Sequence, residues 1–514
     1  MSRRGRRPAA GERHPTDSAA ADREVLGMAR GGSLNFAGLA TSQAATFVIS
    51  LLLARSLGRS DLGVYAQAFA VLSLLQMVAM GGLHTGTMRF VAVHRASGNR
   101  GAVHGTILLG LGAALGLSAV IGLTLYALAP WMAGSMFSED ELTQPLRAVA
   151  LALPAATFSG VALGATQGFK TMRASATIGL ILEPALRLLL TAATVAAGWG
   201  VGGAMVSVVT SNYVAAILAA RALRRLAGRA GGEAAFQPRE LFSFSSVSWL
   251  GSLANSGLIW TDTVILGIYL PSAQVGVYSV ATRLVVLASL FQTAINSALG
   301  PRIADLYQRQ EHSALERAYR AAANWTVRLA LPAFAILVLF PQDLLSLFGN
   351  GFAAAGAVTA LLALGKLVDA VTGPCALMLN MSGRPLVNTV NNLAVLALNI
   401  ALNVLLVPRF GLLGAAAAWT VSLAGVNVAR VVEVWVTMRM WPFGIAMLKG
   451  LAAVAVGAVP AYFAGRALAG IPGLAAGAGA LVLVYLALVW MLGITAEDRL
   501  VFSALRRRTG AVKA

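Results

Sequence analysis

Charged residues and cysteine are both scarce in this chain of 514 residues. Asp, Glu, Lys and Arg make up 11% of it, whereas a soluble domain carries roughly 25%. The single cysteine, Cys375, excludes a disulfide framework and a cysteine-based metal site. The five histidines are too few and too scattered to form a metal cluster. The composition is therefore that of neither a set of soluble domains nor a disulfide-rich secreted protein.

The chain also lacks the common motifs of phosphate binding and hydrolysis. The pattern GxxxxGK[ST] does not occur, and the nearest string, LGKLV at 364–368, lies inside an apolar run. We find no convincing HExxH, GxSxG or paired-carboxylate pattern, and the predicted outer loops are short. We therefore expect a protein that is not an enzyme, uses no cofactor and does not hydrolyse ATP. A membrane-embedded enzyme of glycan assembly is the disfavoured alternative.

Apolar sequence is what the chain has in abundance. Hydrophobic residues make up 58% of it, and its mean hydropathy is +0.75. From Ser33 onward we count about fourteen apolar runs, each near the length of 20 or so residues that spans a bilayer as a helix. None of them alternates as a barrel strand would. The sequence predicts an all-α integral membrane protein with about 14 transmembrane helices.

The basic residues are distributed unevenly between the two sides of the membrane. With the N-terminus inside, about 30 of the 39 Lys and Arg fall on the inner side and about five on the outer side. We therefore expect a multi-pass protein of the cytoplasmic membrane with both termini in the cytoplasm. The net charge of +19 does not indicate nucleic acid as a partner, because the basic residues lie between apolar runs.

Two motifs recur at nearly the same offset along the chain. Gly-Val-Tyr occurs at 63–65 and again at 276–278, and Gly-x-x-Gly-Ala occurs at 200–204 and again at 411–415. The pattern indicates two six-helix halves that run parallel, an arrangement that is common in transporters with a site between the halves.

The repeat sets the predicted organisation of the whole chain. Each half begins at its first apolar run, and two further runs follow the second half. We predict a disordered basic cytoplasmic tail at 1–31, an N-terminal lobe of helices 1–6 at 32–228, a cytoplasmic linker at 229–242, a C-terminal lobe of helices 7–12 at 243–440, helices 13 and 14 at 441–495, and a basic cytoplasmic tail at 496–514.

Charged side chains inside the apolar runs are the most informative polar residues. A charge near the centre of the bilayer costs about 2.5–3.5 kcal/mol on insertion scales, so it is expected to have a partner or a wet cavity. We expect the first two of the following pairs either to line a cavity or to form ion pairs within a helix, and the third to be structural. The pairs are Glu183 with Arg187, Lys366 with Asp369, and Arg430 with Glu433.

Asp262 and Arg283 have no partner of opposite charge on their own predicted helices. They lie at similar depth on the seventh and eighth helices, which a short turn makes antiparallel neighbours. The two side chains can meet as a buried ion pair or face one shared water-filled space, and both interpretations remain open.

Uncharged polar residues form stripes on two of these helices. Asp262 ends a stripe that begins at Ser245 and includes Asn255, and the eleventh helix carries asparagines from Asn388 to Asn403. A polar stripe facing lipid would be costly, so we expect these stripes to face protein or water. The candidate residues of a substrate cavity are Arg283, Asp262, Asn255, Lys366, Asp369, Glu183, Arg187, Asn392 and Asn399.

The stretch from 302 to 322 has a different pattern. Its apolar residues fall near helical spacing, and Glu316 and Arg320 are spaced as an i,i+4 pair. The stretch predicts one amphipathic helix on the inner membrane surface.

Several strings resemble those of one transporter family. They include LLLARSLGRSDLGVYAQAFA at 51–70, DTVILGIYLPSAQVGVYSVATRL at 262–284 and VPRFGLLGAAAAWTVS at 407–422. In content and order they are similar to oligosaccharide-lipid flippases of the polysaccharide-biosynthesis (Wzx-like) type. That family belongs to the multidrug/oligosaccharidyl-lipid/polysaccharide (MOP) exporter superfamily.

The resemblance implies two lobes around a central cavity and transport by alternating access. The implied substrate is a polyprenyl-diphosphate oligosaccharide, turned from the inner to the outer leaflet among membrane lipids. Implied partners are a coupling cation, H⁺ or Na⁺, and a polysaccharide polymerase. Cationic cavity residues such as Arg283 would attract the diphosphate, and acidic ones such as Asp262 would serve coupling or restrain Arg283.

Two alternatives within the same superfamily remain at this point. A drug/cation antiporter would need a deep carboxylate in the N-terminal lobe, for which Glu183 is the candidate. A lipid II flippase would favour more arginine in the first two helices than this chain has.

The distribution of basic residues makes a direct prediction about topology. In a chain whose Cys375 is replaced by alanine, single cysteines are introduced at Gly228 and at Ser138. A membrane-impermeant thiol reagent applied to intact cells should label the second cysteine and not the first, because the linker is predicted to lie inside. Labelling only at position 228 would reverse the orientation.

Overall fold

The computed structural model describes residues 15–228, 233–468 and 470–491, and every regular element in them is helical. Within these residues, ten helices, or eleven if a bent pair counts as one, are long and apolar enough to cross a membrane. The all-helical membrane fold is thus confirmed. The α-helices are α1 (Pro15–Met80), α2 (Leu83–Ala96), α3 (Arg100–Trp131), α4 (Thr143–Gly168), α5 (Glu183–Ala196), α6 (Gly200–Ala227), α7 (Pro238–Tyr269), α8 (Ser272–Ala288), α9 (Leu290–Gln308), α10 (His312–Leu339), α11 (Pro341–Ser346), α12 (Gly356–Thr372), α13 (Cys375–Met381), α14 (Pro385–Met438), α15 (Ile445–Ala467) and α16 (Ile471–Met491).

Two of these helices are bent at an internal glycine. Gly58 in α1 has φ 86° and ψ −175°, and Gly411 in α14 has φ 56° and ψ −132°. Positive φ is costly for residues with a side chain, so glycine allows the chain to turn there. Each helix therefore has two limbs that could each span the bilayer, and the count of fourteen spans stays a prediction.

Helix α1 begins at Pro15, within the predicted tail at 1–31, and residues 1–14 lie outside the described ones. Residues 19–30 are rich in Ala, Glu, Leu, Met and Arg, which favour helix, and proline suits a first helical turn. Of the predicted linker, residues 233–237 are non-helical and Pro238 starts α7, while the predicted tail at 496–514 lies outside the described residues.

Helices pack closely within each half of the chain, here called the N-terminal half (α1–α6) and the C-terminal half (α7–α14). In the first, α4 packs on α3 and α6, and in the second, α14 packs on α7 and α12. Helices α15 and α16 pack on each other and on α10.

The two halves meet where α1 and α2 pack on α7 and, at the end of the bundle predicted to face outward, where α1 packs on α8. A Cβ atom on Gly63 would lie 1.7 Å from the carbonyl oxygen of Ser272, and one on Gly276 would lie 2.1 Å from that of Arg59. The glycines of the repeated Gly-Val-Tyr motif therefore face each other across the interface, where only glycine allows backbones so close. We call this contact the seam.

Hydrogen bonds between the halves surround the seam. The Ser272 hydroxyl donates to the Glu139 carboxylate at 2.7 Å and accepts from the Gln67 amide at 3.2 Å. The Arg55 guanidinium donates to the carbonyl oxygen of Leu347 at 2.8 Å. At this end of the bundle the halves are therefore joined by both backbone packing and polar contacts.

The predicted amphipathic helix at 302–322 is not one helix. Helix α9 ends at Gln308 and α10 begins at His312, with Gln310 between them at φ 59°. The apolar residues of both segments are buried in one cluster, which includes Ile303, Leu315 and Tyr319. The apolar residues keep a helical spacing across the break because the apolar faces of both helix ends pack into the same core.

The seam makes a prediction about stability. Gly63→Ala would force a methyl group against the Ser272 carbonyl, and overpacking of this kind typically costs 1–3 kcal/mol. We expect a lower thermal unfolding midpoint for the purified variant in detergent. Gly116→Ala is the control, because nothing lies within 4 Å of its added Cβ and alanine favours helix. Equal midpoints for Gly63→Ala and the unmodified chain would contradict the close contact.

Candidate functional site

A cavity of about 400 Å³ lies between the two halves. Its walls come from α1, α7, α8, α12 and α14, and Tyr65 and Tyr278, the tyrosines of the repeated motif, both line it. We call it the central cavity. Its polar and aromatic lining includes Ser50, Tyr65, Phe69, Trp260, Asp262, Tyr278, Arg283, Lys366 and Trp419.

Arg283 lies on the wall of the central cavity against an aromatic ring. Its guanidinium is 5.3 Å from the ring centroid of Trp260, which in turn lies 5.6 Å from Phe69. On the other side, the Arg187 guanidinium is 4.8 Å from the Phe69 ring. Two arginines thus flank two aromatic rings in a row that crosses from α5 to α8. Cations over aromatic faces are stabilised by the ring quadrupole, which partly replaces lost hydration.

Asp262 is 3% exposed and is held by uncharged donors. The Tyr278 hydroxyl donates to its Oδ2 at 3.1 Å, and the Asn403 amide donates to its Oδ1 at 2.8 Å. Asn399, one turn before Asn403 on α14, is fully buried, and its backbone carbonyl accepts from the same Asn403 amide at 2.9 Å. Among the described residues no ion pair joins Asp262 to Arg283. Of the two interpretations, the shared cavity is therefore what the structure has, and a direct restraint of Arg283 by Asp262 is wrong.

Glu183 and Arg187 form the contact that their spacing predicts. The Arg187 Nε lies 3.7 Å from Glu183 Oε1, which also accepts a hydrogen bond from Ser211 at 3.0 Å. Arg187 reaches the wall of the central cavity only through Phe69. The pair therefore packs behind Phe69, which lines the cavity, and neither residue of the pair lines it.

Lys366 lines the central cavity and also bonds to Asp369. Its Nζ lies 2.7 Å from Asp369 Oδ2, and the same carboxylate accepts from Gln292 at 3.0 Å and from Asn427 at 2.9 Å. Asp369 faces a second, polar pocket of about 240 Å³ within the C-terminal half. Lys366 lines both spaces and so stands between them.

The predicted pair of Arg430 and Glu433 is not formed. The Arg430 guanidinium donates to the side-chain oxygen of Asn392, and Glu433 accepts from Asn391 at 2.7 Å. Asparagines of the first limb of α14 therefore form hydrogen bonds with both charged residues of the second limb. Arg430 itself lines the polar pocket.

The asparagine stripe of α14 contacts protein more than water. Asn388, Asn399 and Asn403 are buried, and Asn388 donates to Asn380 at 3.2 Å. The expected wet surface is thus mostly an interior surface, because Asp262 and neighbouring amides lie opposite it. The side chain of Asn255 lies outside those that the structure describes.

Sequence reasoning missed the aromatic part of the site. The sequence patterns do not single out Trp260 or Phe69, although Phe69 lies in the matching string at 51–70 and Trp260 lies two residues before the one at 262–284. The repeat itself could have identified Tyr65 and Tyr278, since residues at the pseudo-symmetric interface face each other. In the described part of the chain, no group of three His, Cys, Asp or Glu residues could hold a metal ion.

Comparisons with known proteins give two family matches and several relatives. The model "Polysaccharide biosynthesis protein" matches residues 28–307, and the model "MatE" matches residues 248–405. The "Probable low-salt glycan biosynthesis flippase Agl15" of Haloferax volcanii is 30% identical over 190 residues, which is 36% of this chain and 40% of that protein. The "Probable flippase AglR" of the same organism is 32% identical over 186 residues, 36% of this chain and 39% of that protein. The matched segments thus span about two fifths of these relatives.

Solved structures show the same fold at low sequence identity. The lipid II flippase MurJ in an inward closed conformation has a TM-score of 0.70 at 10% identity, covering 88% of this chain and 96% of that one. An inward-facing MATE multidrug resistance transporter of the MOP superfamily has a TM-score of 0.67 at 16% identity, covering 77% and 94%. The fold is that of MOP-superfamily membrane transporters, and the family match covers more than half of the sequence. This multi-pass membrane protein therefore belongs to the polysaccharide biosynthesis protein family, as its resemblance indicated.

Proposed function

We propose that this protein is a flippase that turns a polyprenyl-diphosphate oligosaccharide from the inner to the outer leaflet of the cytoplasmic membrane. The observation that carries the proposal is the central cavity, which combines cationic and aromatic side chains between two packed halves. The two Haloferax relatives are named flippases, one of them for glycan biosynthesis.

The chemistry of the cavity suits a diphosphate joined to sugars. The forked donors of a guanidinium match phosphate oxygens in pairs, and Arg283 presents one on the cavity wall. Lys366 adds a point charge from α12. Trp260 and Trp419 add apolar ring surface with one polar N–H each, which suits a ligand that is both hydroxylated and partly apolar.

The seam supports transport by alternating access. It joins the halves at the end predicted to face outward, so the cavity can release substrate there only if the contact of Gly63 with Gly276 opens. The 30-to-five distribution of basic residues, counted on about 35 loop residues, assigns that end to the outside and both termini to the cytoplasm.

Asp262 is our candidate for the site of cation coupling. It is a buried carboxylate on the cavity wall whose present partners, Tyr278 and Asn403, are uncharged. A proton or a sodium ion could therefore neutralise it without displacing another cation. The chain has no phosphate-binding loop, so an ion gradient rather than ATP would drive transport.

A drug/cation antiporter is the second candidate, and the MatE match over residues 248–405 favours it. It requires a free deep carboxylate in the N-terminal half. Glu183 is already bonded to Arg187 and Ser211, which makes it a poor proton carrier for a cationic drug. We therefore place the lipid-linked glycan first.

The proposal predicts the effect of removing Arg283. Arg283→Ala should abolish export of the lipid-linked glycan while the protein accumulates normally, because no carboxylate depends on this arginine. Arg283→Lys should retain roughly a tenth of export, since loss of one charge-assisted hydrogen bond costs about 1.5 kcal/mol. The measurement is the amount of lipid-linked glycan that accumulates inside cells, by mass spectrometry.

Arg309→Ala is the matched control, because Arg309 pairs with Asp305 on the exposed end of α9. It should export at the normal rate. Normal export by Arg283→Ala would remove Arg283 from the substrate site. Reduced protein levels of Arg283→Ala would instead indicate a structural role.

The coupling site predicts the behaviour of Asp262→Asn. The amide oxygen can still accept the Tyr278 hydroxyl, so the variant should fold, but it can no longer bind a proton or sodium ion as a carboxylate does. In lipid vesicles, its transport should no longer respond to a proton or sodium gradient. Asp305→Asn on the exposed end of α9 should respond like the unmodified chain. A gradient response that survives in Asp262→Asn would exclude this site.

A further inference from the structure

A basic pocket lies far from the central cavity, at the end of the N-terminal half predicted to be cytoplasmic. Its volume is about 400 Å³. Three arginines line it, and each comes from a different helix: Arg95 from the end of α2, Arg100 from the start of α3 and Arg225 from the end of α6. No acidic residue is among the side chains that line it.

Arg95 is held in place at the wall of this pocket. Its Nη1 donates to the carbonyl oxygen of Phe169 at 2.8 Å, and its guanidinium lies 5.6 Å from the centroid of the Phe169 ring. Phe169 follows the last residue of α4. One guanidinium nitrogen is thus used, and the group is oriented before any ligand arrives.

Arg100 is in a place that helix electrostatics disfavours. It is the first residue of α3, whose 32 residues give a full dipole with its positive end here. Asn99 caps this helix by accepting from the backbone N–H of Ala102 at 3.0 Å, so the backbone itself is satisfied. A cation added to the positive end of a helix is unfavourable unless an anion lies nearby.

The general excess of basic residues on one side does not explain this pocket. That rule places arginines on the inner side of the membrane, but it does not bring three of them into one concavity. Arg95 and Arg225 also suit the negative ends of α2 and α6, whereas Arg100 does not suit its position. Like charges converging without a carboxylate repel one another, and a bound anion would remove that repulsion.

We propose that this pocket binds a phosphate group. Arg100 and Arg225 would approach its oxygens from two sides, Arg95 would present its remaining donors, and the start of α3 would add its dipole. The pocket lies where a helical bundle meets the inner headgroups, so the phosphate can belong to an anionic lipid or to a soluble diphosphate. The site is separate from the central cavity and does not depend on the flippase proposal.

The test compares two double variants, each of which loses two arginines on the side predicted to be cytoplasmic. The pocket variant is Arg100→Gln with Arg225→Gln. The control variant is Arg173→Gln with Arg317→Gln, which are exposed arginines outside the pocket. Purified full-length protein in detergent is titrated with phosphatidylglycerol and with phosphatidylcholine by native mass spectrometry, and with inorganic diphosphate by calorimetry.

The pocket variant should bind one phosphate ligand about tenfold more weakly than the control variant, because it loses the forked guanidinium contacts. Both variants lose the same net charge, so the difference between them cannot come from net charge. Loss confined to phosphatidylglycerol assigns a lipid headgroup, and loss confined to diphosphate assigns a soluble phosphate. Equal weakening in both variants would show general electrostatic attraction and overturn the proposal. So would binding of neither ligand to the unmodified protein. Unfolding midpoints of all three proteins should agree, since these arginines are exposed.

Discussion

The cost of charge inside a bilayer decides how the polar side chains of this protein are arranged. Asp262, Lys366 and Arg187 are each stabilised by a near neighbour, and none faces lipid alone. Lys366 and Arg187 each have a carboxylate as partner, whereas Asp262 has amide and hydroxyl donors. Arg283 on the cavity wall lies over the Trp260 ring instead, and a guanidinium over an aromatic ring gives up less of its hydrogen bonding than one in an ion pair, so it stays available to a ligand.

Local spacing predicted those charge contacts that lie within one helix. Glu183 with Arg187 and Lys366 with Asp369 are three or four residues apart, so their contact follows from helix geometry alone. The same rule failed for Arg430 and Glu433. Asparagines on the other limb of α14 reach those two charges, and sequence spacing carries no information on which limbs pack together.

The fold could be predicted further than the site. Apolar runs and a repeated motif indicated an all-helical bundle with two halves, and the repeated glycines do meet at the seam. The partner of Asp262 could not be predicted in this way, because Asn403 lies 141 residues away in sequence. Nor could the row of rings, since an aromatic residue in an apolar run looks like any other core residue.

The ion pairs of the cavity region lie within one half, whereas Arg55 and Glu139 cross between the halves at the seam by bonding to uncharged partners. Arg187 and Glu183 lie together on α5, and Lys366 and Asp369 lie together on α12. Inside the cavity wall, Phe69 of α1 meets Trp260 of α7 through ring surfaces, a kind of contact worth about 0.5–1.5 kcal/mol. Separating a buried ion pair typically costs 3–5 kcal/mol when one partner is lost. Halves that separate along the aromatic and glycine contacts can therefore move apart without breaking the ion pairs of Arg187 and Lys366, which is what the proposed alternating access requires of the cavity.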